Sequence, residues 1–255
     1  MRISAAVETQ IGPDHVLSGR SNEDAHHFSS RLGKTKSWGA VLDGHGSDRN
    51  VAELGAQQLH RVFLKACKTG QDPMRAMRTA YLTVDNMTKG LRSGACAATF
   101  FLDRVTGELT FGNAGDVRIL LVTALNHRQL TVDHRANTLA EKRRVVHSGG
   151  TVDGNYITHR GAYIMVARAL GDHDMKSGGV IATPRVGHIT LPTTEPVWIV
   201  TASDGLWDYM KNHEVARIAR RDRHPRKIAT ELKTMTMLHR RGHDDFTALV
   251  LRLNG

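Results

Sequence analysis

The 255-residue chain holds two cysteines, Cys67 and Cys96, and only six prolines. Two thiols cannot build a disulfide framework, and they suit a reducing compartment. Long hydrophobic runs are missing too. Stretches such as Ala95–Leu102 and Ile119–Val122 are strand-sized, far short of the roughly 20 residues of a membrane-spanning helix, so no membrane association is expected. The opening residues have no long apolar core after Arg2, so no secretory signal is expected. Aromatic residues make up 5%, too few to interleave with basic side chains as a stacking platform for single-stranded nucleic acid. No linker-like block, like-charge block or repeat of 20–50 residues divides the sequence. A single domain over 1–255 is expected.

Positive charge is what the chain has in excess. Lysine and arginine total 35 against 25 acids, for a net charge of +10 and an isoelectric point near 10.0. Such a surface favours anionic partners: phosphoproteins, nucleic acid or anionic lipid. The basic residues are scattered, however. The densest stretch, Arg217–Lys227, reads as an exposed helix face and its exit loop. Nucleic-acid binding is therefore the weaker reading. The same stretch admits a nuclear signal, so a cytoplasmic or nuclear location is expected.

Periodicity gives the elements. Trp38–Leu42 reads as a buried strand, broken by Asp43-Gly44-His45-Gly46. Helical spacing runs from Val51 to Ala66 and again from Met74 to Leu91, with Pro73 in the second helix's first turn. The methionine stripe of that helix is read as core. Strand texture follows over Cys96–Leu102, Glu108–Gly112 and Val117–Leu125. A helix is expected over Leu139–Ser148, stopped by Gly149-Gly150. Strands are expected at Tyr163–Val166, Val197–Thr201 and Phe246–Leu253. Helices are expected over His213–Arg220, capped by Asn212, and over Pro225–Arg240. Strand runs broken by helix pairs point to a layered α+β fold.

Chemistry concentrates in aspartates where apolar strands stop. Asp43 ends one strand and Asp204 another, Asp116 stands at a strand end after Gly115, and Asp244 opens the last strand; Glu23-Asp24 adds a further acidic pair. A carboxylate at a hydrophobic strand end is costly to desolvate without a partner. Hard divalent cations are natural partners for oxygen ligands. Taken singly, each aspartate fits a turn or a cap; as a set they favour metal binding. Carboxylates from distant strands can hold two cations about 4 Å apart, which activate a water for in-line attack on phosphorus. That reading leaves monoesters, diesters and pyrophosphates open. A cysteine phosphatase needs an arginine six positions after its nucleophile, and here Pro73 and Leu102 occupy those places. No nucleotide-binding P-loop motif is present.

Several blocks also resemble the metal-dependent serine/threonine protein phosphatases of the 2C type. They are Ser21-Asn22-Glu23-Asp24-Ala25, Val41-Leu42-Asp43-Gly44-His45-Gly46, Ser93-Gly94-Ala95-Cys96-Ala97-Ala98 and Asn113-Ala114-Gly115-Asp116-Val117-Arg118, followed by Leu130-Thr131-Val132-Asp133-His134, then Glu141 and Gly149-Gly150. Val166-Ala167-Arg168-Ala169-Leu170-Gly171-Asp172, Ala202-Ser203-Asp204-Gly205-Leu206-Trp207-Asp208 and His243-Asp244-Asp245-Phe246-Thr247 complete the order. The resemblance runs from about residue 1 to residue 253. It implies two packed antiparallel sheets flanked by helix pairs, with a flap-like segment at about 135–177.

The resemblance also implies a function: hydrolysis of phosphoserine and phosphothreonine in proteins by a water or hydroxide bridging two Mg²⁺ or Mn²⁺ ions. Asp43 would bridge both ions and the Gly44 carbonyl would bind one. Asp204 and Asp244 would bind the other, and Glu23 and Asp24 would hold coordinated waters. Asp116 and Asp208 resemble residues of a third, weaker cation site found in some members. His45 would be the general acid. Arg20 would clamp the substrate phosphate, although it lies three residues before Glu23 where the family commonly has four. Cys96 stands for a threonine and Asp245 for an asparagine, the latter adding a charge beside Asp244. A monomer acting on phosphoprotein substrates is expected. A catalytically silent scaffold is the alternative, and loss of a metal aspartate would favour it.

Overall fold

The computed structural model describes every residue except Ser47, Thr193, Arg240, Arg241 and Gly255, and the side chain of His239. In chain order the elements are β1 (Arg2–Gln10), α1 (Pro13–Leu17), β2 (Ala25–Leu32), β3 (Lys36–His45), α2 (Asn50–Lys68) and α3 (Pro73–Met87). Next come β4 (Gly94–Asp103), β5 (Glu108–Ala114), β6 (Arg118–Val122), β7 (His127–Gln129) and α4 (Leu139–His147). Short strands β8 (Thr151–Asp153), β9 (Tyr156–His159), β10 (Ala162–Ile164) and β11 (Leu170–Gly171) lead to α5 (His173–Lys176) and β12 (Arg185–Thr190). The chain closes with β13 (Val197–Ala202), α6 (Asp204–Trp207), α7 (Asn212–Arg221), α8 (Pro225–Thr234) and β14 (Phe246–Asn254).

Two antiparallel sheets carry the fold. One runs β1-β14-β13-β6-β7; the other runs β12-β5-β4-β3-β2, with β11 added beside β4. Side-chain alternation shows how they stack. On β4, Ala98, Phe100 and Leu102 face the core between the sheets, while Ala97 and Phe101 face the layer under α2 and α3. On β13, Val197 and Ile199 enter the inter-sheet core, while Trp198, Val200 and Ala202 pack under α7 and α8. The result is helix pair, sheet, sheet, helix pair. Both central strands are apolar on both faces because both faces are covered.

The helices follow from their sequences. Val51, Ala52, Ala56, Leu59, Phe63 and Ala66 line the buried stripe of α2. Asp72 caps α3, its carboxylate accepting the amides of Met74 and Arg75 at 3.0 Å, and Pro73 opens the first turn. Met77 is fully buried in that helix, but Met87 is exposed, so the methionine stripe is only partly core. Exposed residues Arg217, Arg221, Arg223, Arg226 and Lys227 do form a solvated face of α7 and its exit.

Three sequence expectations change. The strand at Val117 stops at Val122, where Thr123–Asn126 turn the chain into β7. Asn212 is the first helical residue of α7 rather than its cap, and Glu214 instead accepts the Lys211 amide at 2.8 Å. The helix from Pro225 is α-helical only to Thr234 and finishes as a π turn over Met235–His239; Arg240 lies outside the described residues. Among the described residues, no helix is long and apolar enough to cross a membrane.

Candidate active site

The sheets present their acidic ends at one side of the sandwich. Asp43 stands near the end of β3, directly across from Cys96 on β4. Asp116 lies in the turn after β5, Asp204 starts α6 just after β13, and Asp244 precedes β14. Asp43, Asp116 and Asp204 each offer a carboxylate oxygen within 4.8 Å of the others. They line a cavity of about 760 Å³ together with Glu23, Gly44, His45, Asp208, Asp244 and Arg20. Asp116, expected at a peripheral site, is thus part of the central trio, whereas Asp244 stands at the rim.

This convergence is electrostatically strained. Burial, followed by repulsion from Asp204, Asp24, Asp116 and Asp244, pushes the Asp43 carboxyl well above the usual carboxylate range. Burial and the charges of Asp116, Asp244 and Asp208 do the same to Asp204. Asp116 is raised by burial, with Arg135 working against the rise.

Neighbouring residues fix the aspartates. The Asn113 side-chain amide donates to the Gly115 carbonyl at 3.2 Å and to the Val132 carbonyl at 2.7 Å, bracing the loop that carries Asp116. Gly115 has φ +97°, and a Cβ there would lie 2.2 Å from the Cys96 sulfur. The Trp207 indole N–H donates to the Ala202 carbonyl at 2.8 Å and anchors the turn after Asp204.

The two acids before β2 divide. Glu23 lines the cavity, paired with Arg20. Asp24 is buried and accepts from the Ser203 hydroxyl at 2.9 Å; it borders a separate, smaller cleft rather than the main one. Its carboxyl is raised to about 7 by burial, against the hydrogen bonds of Thr247 and Ser203. Arg20 reaches the cavity lip, where its Nη2 donates to Glu23 and to the Gly46 carbonyl.

Four features were not visible in the sequence. Asp172 lies 2.8 Å from Nε2 of His45. Burial disfavours the imidazolium, but the Asp172 carboxylate outweighs it and raises the His45 pKa. Arg135 enters the acidic cluster: its Nε donates to Asp116 at 3.0 Å, and its Nη2 to Asp208 at 2.6 Å and to Asp204 at 3.4 Å. Asp245 adds its charge beside the cluster, helping to raise the Asp244 and Asp24 carboxyls, but its own oxygens are taken up by N–H donors. It is buried, accepting the Gly12 amide at 2.7 Å and the Glu23 amide at 2.6 Å, with His15 Nδ1 at 3.0 Å. Finally, β8–β10 form a small sheet beside the cavity, whose Tyr156 and Tyr163 rings meet edge-on at 5.5 Å and line it. At the base of that segment Glu141 accepts from Arg168 at 2.6 Å and Arg144 at 2.8 Å, so Arg144 is structural rather than free to meet substrate.

The sequence profile described as protein phosphatase 2C matches residues 17–244. The chain belongs to the protein phosphatase 2C family. Among its relatives, "Probable protein phosphatase 2C 14" of Arabidopsis thaliana is 34% identical over 204 residues, 75% of this chain and 44% of that protein. "Probable protein phosphatase 2C 44" of Oryza sativa subsp. japonica is 29% identical over 250 residues, 93% of this chain and 76% of the relative. The chain therefore spans less than half of the first relative and about three quarters of the second. A Toxoplasma gondii serine-threonine phosphatase 2C structure superposes with a TM-score of 0.82 at 22% identity, covering 98% of this chain and 94% of that one. A C. elegans sex determining protein superposes at 0.81 and 20% identity, over 98% of this chain and 64% of the other. These likenesses agree with the layered α+β architecture described above.

Proposed function

We propose that this family member hydrolyses phosphoserine and phosphothreonine monoesters in proteins, and that the domain responsible spans 1–255 with a flap at about 135–177. The observation that carries the reading is the convergence of Asp43, Asp116 and Asp204 in the cavity that also holds the His45–Asp172 pair.

The residues fit a divalent cation. Their donors are all hard oxygens, the set Mg²⁺ and Mn²⁺ prefer. Burial and mutual repulsion penalise the bare carboxylates, and a cation relieves both. Asp43, the Gly44 carbonyl, Asp204 and Asp244 are the residues to hold two such ions, with Glu23 and Asp24 behind them. When bound, the pair supplies Lewis acidity for water activation and for neutralising the phosphoryl oxygens.

The remaining work falls to the chain. Only Nη2 of Arg20 bonds to described residues, which leaves Nη1 to donate to a phosphate oxygen at the cavity lip. His45 holds the proton that the departing seryl or threonyl oxygen needs. With Nε2–H donating to Asp172, the transferable proton sits on Nδ1. The basic surface, +10 overall, favours acidic, phosphorylated protein segments.

The test is hydrolysis of a phosphothreonine peptide with Mn²⁺, with and without EDTA, by the parent and by Asp204→Asn. Turnover that needs the metal and is lost in the variant is the expected result. Equal activity in chelator, or none in either protein, overturns the proposal; the second outcome is the one a silent scaffold gives.

A further inference from the structure

We infer that Arg135 is a built-in cation that closes the outer part of the acidic cluster, so that no metal ion binds among Asp116, Asp204 and Asp208. The inference rests on the metal-binding reading above.

Three carboxylates meet one guanidinium. Asp116 and Asp208 accept from different nitrogens of Arg135, and Asp204 accepts a longer bond from the nitrogen that serves Asp208. Asp116 is 6% exposed and Asp208 49%, with the Arg135 side chain at 28% lying against both. The planar fork thus lies between Asp116 and Asp208, on one side of the cavity that both line. Asp43 makes no ion pair with Arg135 among the described residues, so the guanidinium covers one side of the trio and leaves the Asp43 side open.

The energetics favour the side chain over an incoming ion. Arginine remains charged throughout the accessible pH range. Here it needs no dehydration of a tightly held water shell, the step Mg²⁺ resists. Removal would strand a guanidinium that is largely covered and expose Asp116 and Asp208 to mutual repulsion. Backbone pairing places the residue, because Arg135 bridges Val166 within the flap segment. That pairing fixes the backbone from which the guanidinium projects.

The chain accordingly carries a peptide-borne positive charge where the acidic residues alone would invite another cation. Removal of that charge should create a new site.

Equilibrium dialysis against saturating Mn²⁺, with metal and protein both quantified, measures the ions bound per chain. Arg135→Gln is expected to bind one more ion than the parent. Adding Asp208→Asn to that variant is expected to return the count to the parental value. Equal counts for parent and Arg135→Gln overturn the inference, including the case where binding merely tightens. A parent that binds no Mn²⁺ contradicts the proposed function, while the difference between the two proteins still decides the role of Arg135. Circular dichroism checks that the variant folds. If it does not, parent crystals grown in Mn²⁺ decide: an anomalous peak among Asp116, Asp204 and Asp208 overturns the inference. Its absence, with Arg135 still paired to Asp208, supports it.

Discussion

His45 and Asp172 are 127 positions apart in the chain, yet Nε2 of one lies 2.8 Å from Oδ2 of the other. The contact is set by backbone. Asp172 has φ 48°, a left-handed conformation uncommon outside glycine, and it packs over Gly94, where a Cβ would fall 2.1 Å from the same carboxylate oxygen. The pair favours a protonated imidazole, which is the form a general acid must hold. His45→Gln should lower kcat on a phosphothreonine peptide by about 10²–10⁴-fold. On an aryl phosphate, whose leaving group needs no proton, the loss should be far smaller. Asp172→Asn should show the same substrate contrast at reduced size. Equal losses on both substrates would deny His45 the acid role.

Stability should fall in mild acid, through His134. This residue is buried, and burial, followed by the charge of Arg168, lowers its pKa to about 4. Its unfolded value is about 6.5. Between those values the unfolded chain binds the extra proton and the native chain does not. Stability from this residue is thus complete above about pH 6.5 and is lost as pH falls toward 4, a swing on the order of 3 kcal/mol. Urea midpoints measured from pH 7 to pH 4.5 should drop more steeply in the parent than in His134→Gln.

Gly115 cannot carry a side chain without displacing the loop that positions Asp116. Its φ of +97° is unfavourable for any other residue, and the added Cβ would meet both Sγ and Cβ of Cys96. Gly115→Ala should cost about 1–3 kcal/mol in denaturant unfolding, and peptide phosphatase activity should fall with it. A variant as stable and as active as the parent would remove this glycine from the site's support.

Asp245 accepts three N–H donors, from Gly12, Glu23 and His15. An asparagine of the same shape has one oxygen only, so its amide group must face a donor. Asp245→Asn should therefore destabilise the chain by about 1–3 kcal/mol, even though asparagine is what the related motif carries. Asp245→Asn with His15→Ala should recover only part of the loss, because two backbone amides still need an acceptor. Thermal melts of the two variants check this.

Residues with strong local patterning were legible in advance. The stripes of α2 and α3, the twice-covered strands β3, β4, β13 and β14, and the aspartates that end them all follow from hydrophobic period and the cost of desolvating a charge. Strands β1, β2 and β12 were not, since they lie at sheet edges where exposure is mixed and alternation is weak. Asp172 and Arg135 escaped for another reason. Each acts on partners supplied only by folding, 127 positions away for one and 19 to 73 for the other. Arg135 is also one of 35 basic residues, with nothing local to distinguish it. The charge of Asp245 beside Asp244 was legible, since the two are neighbours in sequence, but its role as acceptor for Gly12, Glu23 and His15 was not, because those donors are brought to it only by folding.

Asp43 and Asp116 hang from one sheet, Asp204 and Asp244 from the other. Neither half of the sandwich owns the cleft. A shift of one sheet against the other would therefore change the spacing of the acids.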